Sequence, residues 1–177
     1  MPRLKMVDPS TDTGPGAELL NGALSKMQIN IFKGMAANPG VLKAFLAFSE
    51  GAKRGGALTP AEHEVVALVV SQKRNCEYCL AAHTQIAKGE GFSEDATLQI
   101  RRGSADDPKH QALIDFTCSV LETDGFVSDA QLQAFRAAGY DDAAVIEVLA
   151  AMTVMTFTNL FNHINETEVD FPLATAV

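Results

Sequence analysis

Apolar residues recur at helical spacing through almost the whole chain, and no segment alternates apolar and polar residues over the length of a strand. This periodicity predicts an all-α protein. A first helix is expected from Ala17 to about Ala37, because one face of it collects the large apolar residues Leu20, Leu24, Met27, Ile31 and Met35. A chain of 177 residues is long enough to bury one complete core. We therefore predict a single-domain helical bundle.

Capping residues divide the rest of the chain into further helices. The segment Thr59-Pro60-Ala61-Glu62 combines an N-cap threonine, a proline in the first turn and a glutamate that completes a capping box. Side chains that can cap later helices are those of Asn75, Ser93, Asp107, Ser128 and Asp141. The prediction is about seven to eight helices within residues 17–177, after an irregular lead-in over residues 1–16.

Composition and charge narrow the classes of partner and the cellular compartment. The formal net charge is −8, and an acidic surface repels phosphate backbones, so no nucleic-acid partner is expected. No run of about 18 consecutive apolar residues is present, and the N-terminus lacks the apolar core of a signal peptide, so no membrane association is expected. A cytoplasmic location follows, where thiols are normally reduced. Three cysteines do not form a disulfide framework.

The segment Cys76-Glu77-Tyr78-Cys79-Leu80-Ala81-Ala82-His83 carries the most reactive side chains of the chain. On a helix, the two thiols and the imidazole share one face. Backbone N–H groups in the first helical turn favour a thiolate, which is the reactive form of cysteine. His83 lies one turn after Cys79, within reach of its proton, and Cys76 lies one turn before it, close enough to form a disulfide.

Glu64 is an acidic residue within an apolar run, twelve positions before Cys76. It lies on the same helix face as Ala61 and Leu68, so it is expected to point toward apolar surroundings. An unpaired carboxylate there would be costly, and a partner such as His83 would remove that cost and create a proton relay. The neighbouring His63 turns to a different face and is expected to face solvent.

The residues alone leave more than one kind of site open. The thiol pair can be a redox-active dithiol, two small core residues, or part of a zinc site that includes His83, although three ligands within eight residues of one helix are crowded for a tetrahedral ion. A thioredoxin-type fold is disfavoured, because its Cys-x-x-Cys follows a strand. Cys118 is expected to pack as a small apolar residue. His110 and His163 are interpreted as surface or core histidines.

Glu64, Cys76, Cys79 and His83 together reproduce the E-x11-C-x2-C-x3-H signature of the alkyl hydroperoxidase D-like proteins of the carboxymuconolactone decarboxylase superfamily. The resemblance is tight over residues 59–92. It is looser along the C-terminal helix, where the residues similar to the ending of related members are Asn159, Asn162 and His163, followed by Asp170-Phe171-Pro172.

This resemblance implies a role for each residue of the signature. Cys79 resembles the peroxidatic thiol that becomes a sulfenic acid, and Cys76 the resolving thiol that closes the disulfide. His83 resembles the base on Cys79, and Glu64 the carboxylate that completes the relay. An external dithiol or a protein reductant then restores the pair, without a metal or a bound organic cofactor. The family also implies an all-helical homo-oligomer, a trimer or a hexamer.

Tyr78 is the one departure from the pattern, because the best-described hydroperoxidases of the family carry a second histidine at this position. A phenol with a pKa of about 10 does not exchange protons at neutral pH as an imidazole does. Tyr78 is therefore expected to form a wall of the site. The expected function is reduction of hydrogen peroxide or small organic hydroperoxides. The alternatives are a carboxymuconolactone-decarboxylase-like lyase, in which the thiols would have no role, and a non-enzymatic dithiol redox sensor.

Overall fold

The computed structural model describes residues 1–177 and contains no β-strand, which confirms the predicted all-α class. Nine helices are present, one more than the upper limit of the prediction. Their bounds are α1 Pro15–Asn21, α2 Asn30–Met35, α3 Pro39–Lys53, α4 Pro60–Lys73, α5 Glu77–Gly89, α6 Glu94–Arg101, α7 Pro108–Glu122, α8 Asp129–Ala137 and α9 Asp142–Asn165.

Helix α4 is the centre of the bundle, and α5, α6, α7 and α9 pack around it. Ten consecutive residues, from Glu62 to Ser71, are buried, so this helix is covered on every side. The predicted capping box is present: Thr59 Oγ1 accepts from the Glu62 N–H, and Glu62 Oε2 accepts from the Thr59 N–H.

The Glu62 carboxylate also anchors α4 to neighbouring parts of the fold. It accepts a hydrogen bond from the Tyr140 hydroxyl (2.8 Å) and pairs with the Lys109 ammonium (2.9 Å). Burial acts to raise the pKa of Glu62, but the hydrogen bonds from Thr59, Lys109 and Tyr140 outweigh it and lower the pKa to about 2. The acidic residue of the capping box is thereby held ionised inside the core.

The single first helix predicted from Ala17 to Ala37 is wrong, because the chain leaves the helix after Asn21 and re-enters one at Asn30. Gly22 follows the first short helix, and glycine is a poor helix former. The Gln28 side chain donates to the Leu20 carbonyl and so satisfies an acceptor at the end of α1. Met27, expected on the buried stripe, is half exposed in the intervening loop.

The turn between α4 and α5 differs from its prediction by one residue. Cys76, and not Asn75, occupies the N-cap position of α5. Asn75 instead has a left-handed backbone (φ 53°), a conformation that asparagine adopts more readily than most residues. The Cys76 N–H bonds back to the Ser71 carbonyl (3.0 Å). This tight turn brings the thiol pair to the end of the central helix.

Helix α9 is long and apolar enough to meet a membrane-span criterion, with a mean hydropathy of 1.7 over an 18-residue window. The expectation of no membrane segment was based on the absence of consecutive apolar residues, whereas this criterion averages hydropathy over the window and so tolerates polar residues. In the structure α9 packs against α3, α4 and α5, and 44% of the window is buried. The inner face of α9 therefore belongs to the core of the bundle.

Candidate active site

The two thiols of the motif have different access to solvent-filled space. Cys76, at the N-cap of α5, is completely buried, and Cys79, in the first turn, is 3% exposed. Cys79 lines a cavity of about 510 Å³, whereas Cys76 does not. Neither cysteine forms a disulfide in this structure. A molecule that enters the cavity therefore meets the sulfur of Cys79, with Cys76 behind it.

The ionisation of each thiol depends on the other. A hydrogen bond from the Cys79 thiol lowers the pKa of Cys76 to about 6 in spite of its burial, and the Cys79 N–H and the nearby charge of His163 act in the same direction. The same hydrogen bond, together with burial, raises the pKa of Cys79, because a second thiolate would lie beside the first. Both effects favour Cys76 as the first of the two thiols to ionise.

Side chains from α9 surround the pair on the side away from α4. Asn162 Nδ2 donates to Cys79 Sγ at 3.3 Å, and Thr158 Oγ1 lies 3.7 Å from the same sulfur. Asn159 is completely buried, and its amide has no hydrogen-bond partner among the oxygen and nitrogen atoms of the protein. Its side chain lies beside Cys76, where it favours the thiolate. Two asparagines thus face the two sulfurs.

Glu64 and His83 form the imidazole–carboxylate contact predicted from the sequence. His83 Nδ1 lies 2.7 Å from Glu64 Oε2, and the Glu64 side chain is only 3% exposed. The second ring nitrogen of His83, Nε2, has no hydrogen-bond partner within the protein. His83 and Cys79 line the same cavity but form no direct hydrogen bond with each other. A bound molecule between them would connect the two groups.

Tyr78 is buried in the cavity wall and joins three parts of the chain. Its hydroxyl donates to Asp170 Oδ1 (2.7 Å) and accepts from the Ile31 N–H (3.3 Å), and its ring packs edge-on against Phe171. Burial and the hydrogen bond to Asp170 raise its pKa, so the phenol stays protonated. Asp170 Oδ2 also accepts from the Asn30 N–H at 2.7 Å. The C-terminal segment is thereby fixed over the site.

The cavity has a volume of about 510 Å³, and sixteen of its twenty-four lining residues are hydrophobic. Helices α3, α4, α5 and α9 supply most of the wall, and the rest comes from α2 with the loop before it, from Arg54 after α3, and from Phe171 in the C-terminal segment. This volume is within the range typical of sites for small organic molecules. The reactive groups are thus placed in an apolar chamber.

His63 was predicted to face solvent, and that prediction is wrong. Its side chain is 6% exposed, lines the cavity, and places Nε2 at 2.8 Å from Glu147 Oε1 on α9. The sequence contained a weak signal for this pair, because Glu147 is the one charged residue in the apolar stretch from Ala143 to Asn162. The apolar pattern of α4 could not predict the His63–Glu147 contact, because it does not show that α9 packs on the face of α4 that carries His63.

No group of three or more His, Cys, Asp or Glu side chains in the structure is arranged to hold a metal ion. His83, the third ligand of the zinc alternative, is bonded to Glu64.

The sequence model of one known family matches part of the chain. Residues 39–106 match the sequence model of the carboxymuconolactone decarboxylase family, and this range includes Glu64, both cysteines and His83. No curated protein matches the chain in a sequence search.

Solved structures show the same fold. An uncharacterized peroxidase-related protein from Ralstonia eutropha JMP134, described as an alkylhydroperoxidase AhpD core, has a TM-score of 0.84 at 21% identity over 96% of this chain and 92% of its own. A peroxidase-related protein from Silicibacter sp. TM1040 has a TM-score of 0.80 at 22% identity, over 94% and 89%. The debrominase Bmp8, solved with 2,3,4-tribromopyrrole, has a TM-score of 0.68 at 16% identity, over 80% and 76%.

Proposed function

We propose that this chain, which contains a carboxymuconolactone decarboxylase family domain within an AhpD-like fold, is a thiol-dependent hydroperoxide reductase. The single observation that supports this most strongly is the placement of the two sulfurs. Cys79 lines an apolar cavity, and Cys76 lies behind it, beyond the reach of a substrate. A dithiol with one accessible and one shielded sulfur suits a reaction in which the first sulfur is oxidised and the second resolves it.

In the first step the Cys79 sulfur attacks the terminal oxygen of the hydroperoxide. Its proton passes to Cys76 along the hydrogen bond between the sulfurs, so that Cys79 becomes the thiolate, which Asn162 stabilises by donating an N–H. An S–O bond forms and the O–O bond breaks, giving Cys79 sulfenic acid and an alkoxide. The alkoxide needs one proton to leave as the alcohol.

His83 is the residue suited to supply that proton. Glu64 accepts from His83 Nδ1 and orients the ring, so that Nε2 faces the cavity. Histidine is the side chain that most often acts as a general acid or base in enzymes, whereas the buried Tyr78 phenol, with its raised pKa, keeps its proton. In this scheme the Cys79 proton goes to Cys76, so the role of base on Cys79 that the family resemblance implies for His83 is taken by the second thiol. Tyr78 has a positioning role, because it fixes the C-terminal segment over the cavity.

In the second step the Cys76 sulfur attacks the sulfenic sulfur of Cys79. The S–S bond forms and the S–O bond breaks, and the hydroxide leaves as water with the proton that Cys76 held. The protein has then lost two electrons to the peroxide, and its disulfide is reduced by an external dithiol or a protein reductant. The cycle needs neither a metal nor a bound organic cofactor.

The surroundings of the reaction are also part of the proposal. An apolar cavity of about 510 Å³ favours organic hydroperoxides over hydrogen peroxide. A cytoplasmic location supplies the reducing conditions that the cycle requires.

We further propose a homo-oligomer, a trimer or a hexamer, because α9 presents an exposed apolar face that the chain itself does not cover: Ile146, Leu149, Phe157, Leu160 and Ile164.

The decisive experiment is turnover of cumene hydroperoxide with a dithiol such as dihydrolipoamide or dithiothreitol. We expect Cys79→Ser to abolish turnover and Cys76→Ser to stop it after about one oxidation per protein, with the sulfenic acid trapped by dimedone. Cys118→Ser is the matched control, because Cys118 lies on α7 outside the cavity, and it should keep wild-type activity.

Other outcomes would point to the alternative functions. A lyase would retain its activity in the Cys79→Ser variant. A redox sensor would form the Cys76–Cys79 disulfide, detectable by mass mapping, but would turn over poorly with every dithiol and protein reductant tested. Peroxide consumption that survives Cys79→Ser would overturn the proposal.

A further inference from the structure

A second imidazole–carboxylate pair, which the proposed reaction does not use, reaches the cavity through the ring of His63. His63 and Glu147 are 6% and 5% exposed, and 2.8 Å separate His63 Nε2 from Glu147 Oε1. The other carboxylate oxygen, Oε2, accepts from the Ala57 N–H at 2.9 Å, so the carboxylate is held at both ends. Burying such a pair costs desolvation free energy. Buried titratable pairs beside a cavity are therefore candidates for a functional role.

This pair and the thiols contact α9 at different levels. Glu147 bonds His63 and Thr158 lies against Cys79, and both residues belong to α9. They are eleven positions apart, which corresponds to about 16 Å along the helix axis. Between them the wall is formed by Ala151, Val154 and Met155 on α9 and by Phe45 and Leu46 on α3. The α9 side of the cavity therefore has a polar contact near each end and an apolar stretch between them.

The free nitrogen of His63 can bind one kind of polar group especially well. Nε2 is engaged by Glu147, and Nδ1 has no hydrogen-bond partner in the protein while the ring lines the cavity. A neutral ring accepts at Nδ1 and an imidazolium donates there. A carboxyl group suits both states, because it either donates its proton to Nδ1 or accepts one from it. An ester, which has no proton to donate, can bond only to the imidazolium.

Positive charge at the same end also favours an acidic ligand. Lys53 and Arg54, at the end of α3, line the cavity and immediately precede Gly55, which packs on the Glu147 carboxylate. Arg54 pairs with Glu50 at 2.7 Å, whereas Lys53 has no ion-pair partner in the structure. An extended ligand with its reactive end at Cys79 would bring its other end to these cations.

We propose that the substrate is a carboxyl-bearing organic hydroperoxide, with its peroxide at Cys79, an apolar chain along α9, and its carboxyl group on His63 and Lys53. This inference rests on the proposed function and names its substrate class. His63 is then a specificity-determining residue. Glu147 is a positioning residue that acts through the His63 ring.

The test compares linoleic acid hydroperoxide with its methyl ester in steady-state turnover. For the wild type we expect a KM about tenfold lower for the acid than for the ester, with a similar kcat, as for one hydrogen bond to a charged group. His63→Gln should raise the KM for the acid to that of the ester. Lys53→Gln, at an exposed position that tolerates substitution, should reduce the preference severalfold.

The matched control is His110→Gln. His110 lies on α7 beside Phe92 and Asp107, away from the cavity, so this variant should keep the full preference for the acid. Equal KM values for acid and ester in the wild type would overturn the inference. So would a fall in kcat for both substrates in His63→Gln with an unchanged ratio of KM values, since that pattern indicates a structural role.

A binding measurement separates this inference from the proposed function. Lauric acid and methyl laurate carry no peroxide, and calorimetry should show about tenfold tighter binding of the acid to the wild type and no preference in His63→Gln. If no hydroperoxide is reduced but laurate binds with this dependence on His63, the reductase proposal falls and the carboxyl site stands. If the wild type does not distinguish laurate from its ester, the carboxyl site is excluded.

Discussion

At the scale of single residues, the linked ionisation of Cys76 and Cys79 distinguishes the two thiols of the pair. Cys76 occupies the N-cap, where the Cys79 N–H and thiol both face it, and its pKa falls from an ordinary 9.0 to about 6. Cys79 keeps the proton and also faces the cavity. In the proposed reaction, the resolving thiol is therefore the one with the lowered pKa, and it would receive the proton when Cys79 reacts.

This distribution predicts a thiolate that forms as the pH rises through about 6, because the deprotonated form of Cys76 is the stabilised one. Ultraviolet absorbance of the thiolate should show one titrating group with that midpoint. In Cys76→Ser the low midpoint should disappear, because the thiol with the lowered pKa is gone and burial still disfavours a thiolate at Cys79.

Cys118→Ser controls for the third thiol. Burial raises the pKa of Cys118, so its removal should leave the midpoint unchanged. A wild-type midpoint at the ordinary value of 9.0 would contradict the assignment.

At the scale of elements, the loop between α3 and α4 is fitted closely to the buried carboxylate of α9. A Cβ placed on Gly55 would lie 2.3 Å from Glu147 Oε2 and 2.7 Å from its Cδ. That carboxylate has little freedom to move, because it is bonded to His63 and to the Ala57 N–H. Gly55 is thus required by close approach rather than by backbone conformation.

We expect Gly55→Ala to lower the free energy of unfolding by about 1–3 kcal/mol, since the added methyl group must displace Glu147 from its hydrogen bonds. Gly51→Ala is a matched control within α3, where a Cβ meets no atom within 4 Å. It should stabilise the protein by about 0.5–1 kcal/mol, because alanine is the better helix former. Urea denaturation measures both, and equal effects of the two substitutions would refute the close fit.

At the scale of the whole molecule, the main unexplained feature is an apolar surface shared by α9 and α3. The exposed face of α9 carries large apolar residues, and the Phe45 ring stacks on Phe157 and so continues the surface onto α3, where Val41 and Phe48 are half exposed. Monomeric proteins rarely expose contiguous patches of this kind. A second copy of this chain is the partner that the proposed homo-oligomer requires.

Light scattering should then give a mass that is a multiple of 18.9 kDa, and Leu160→Glu should lower it, because a buried unpaired carboxylate destabilises an apolar interface. Phe126→Glu is the control, since Phe126 is 88% exposed in a loop between α7 and α8. A monomeric wild type, or a Leu160→Glu variant with an unchanged mass, would exclude this face as the interface.

Local features of the sequence were enough to predict the helical class and several helix starts. The capping box at Thr59, the caps at Ser93 and Ser128, and the spacing within the Cys-x-x-Cys segment all act through contacts within a few residues of one another. Such contacts form wherever the segment is helical, so they can be read without knowledge of the fold. The Glu64–His83 contact was also predictable, because a buried carboxylate needs a partner and a histidine was near.

Only the tertiary structure determined what covers each side of the site. His63 was expected in solvent but is buried against Glu147, 84 positions away, because α4 is enclosed by other helices on every face. The asparagines beside the thiols, the link from Tyr78 to Asp170 and the difference in access between Cys76 and Cys79 likewise depend on α9 and the C-terminal segment. The physical reason is that helical periodicity specifies the face on which a side chain lies. What packs against that face depends on the arrangement of distant segments, which local sequence does not encode.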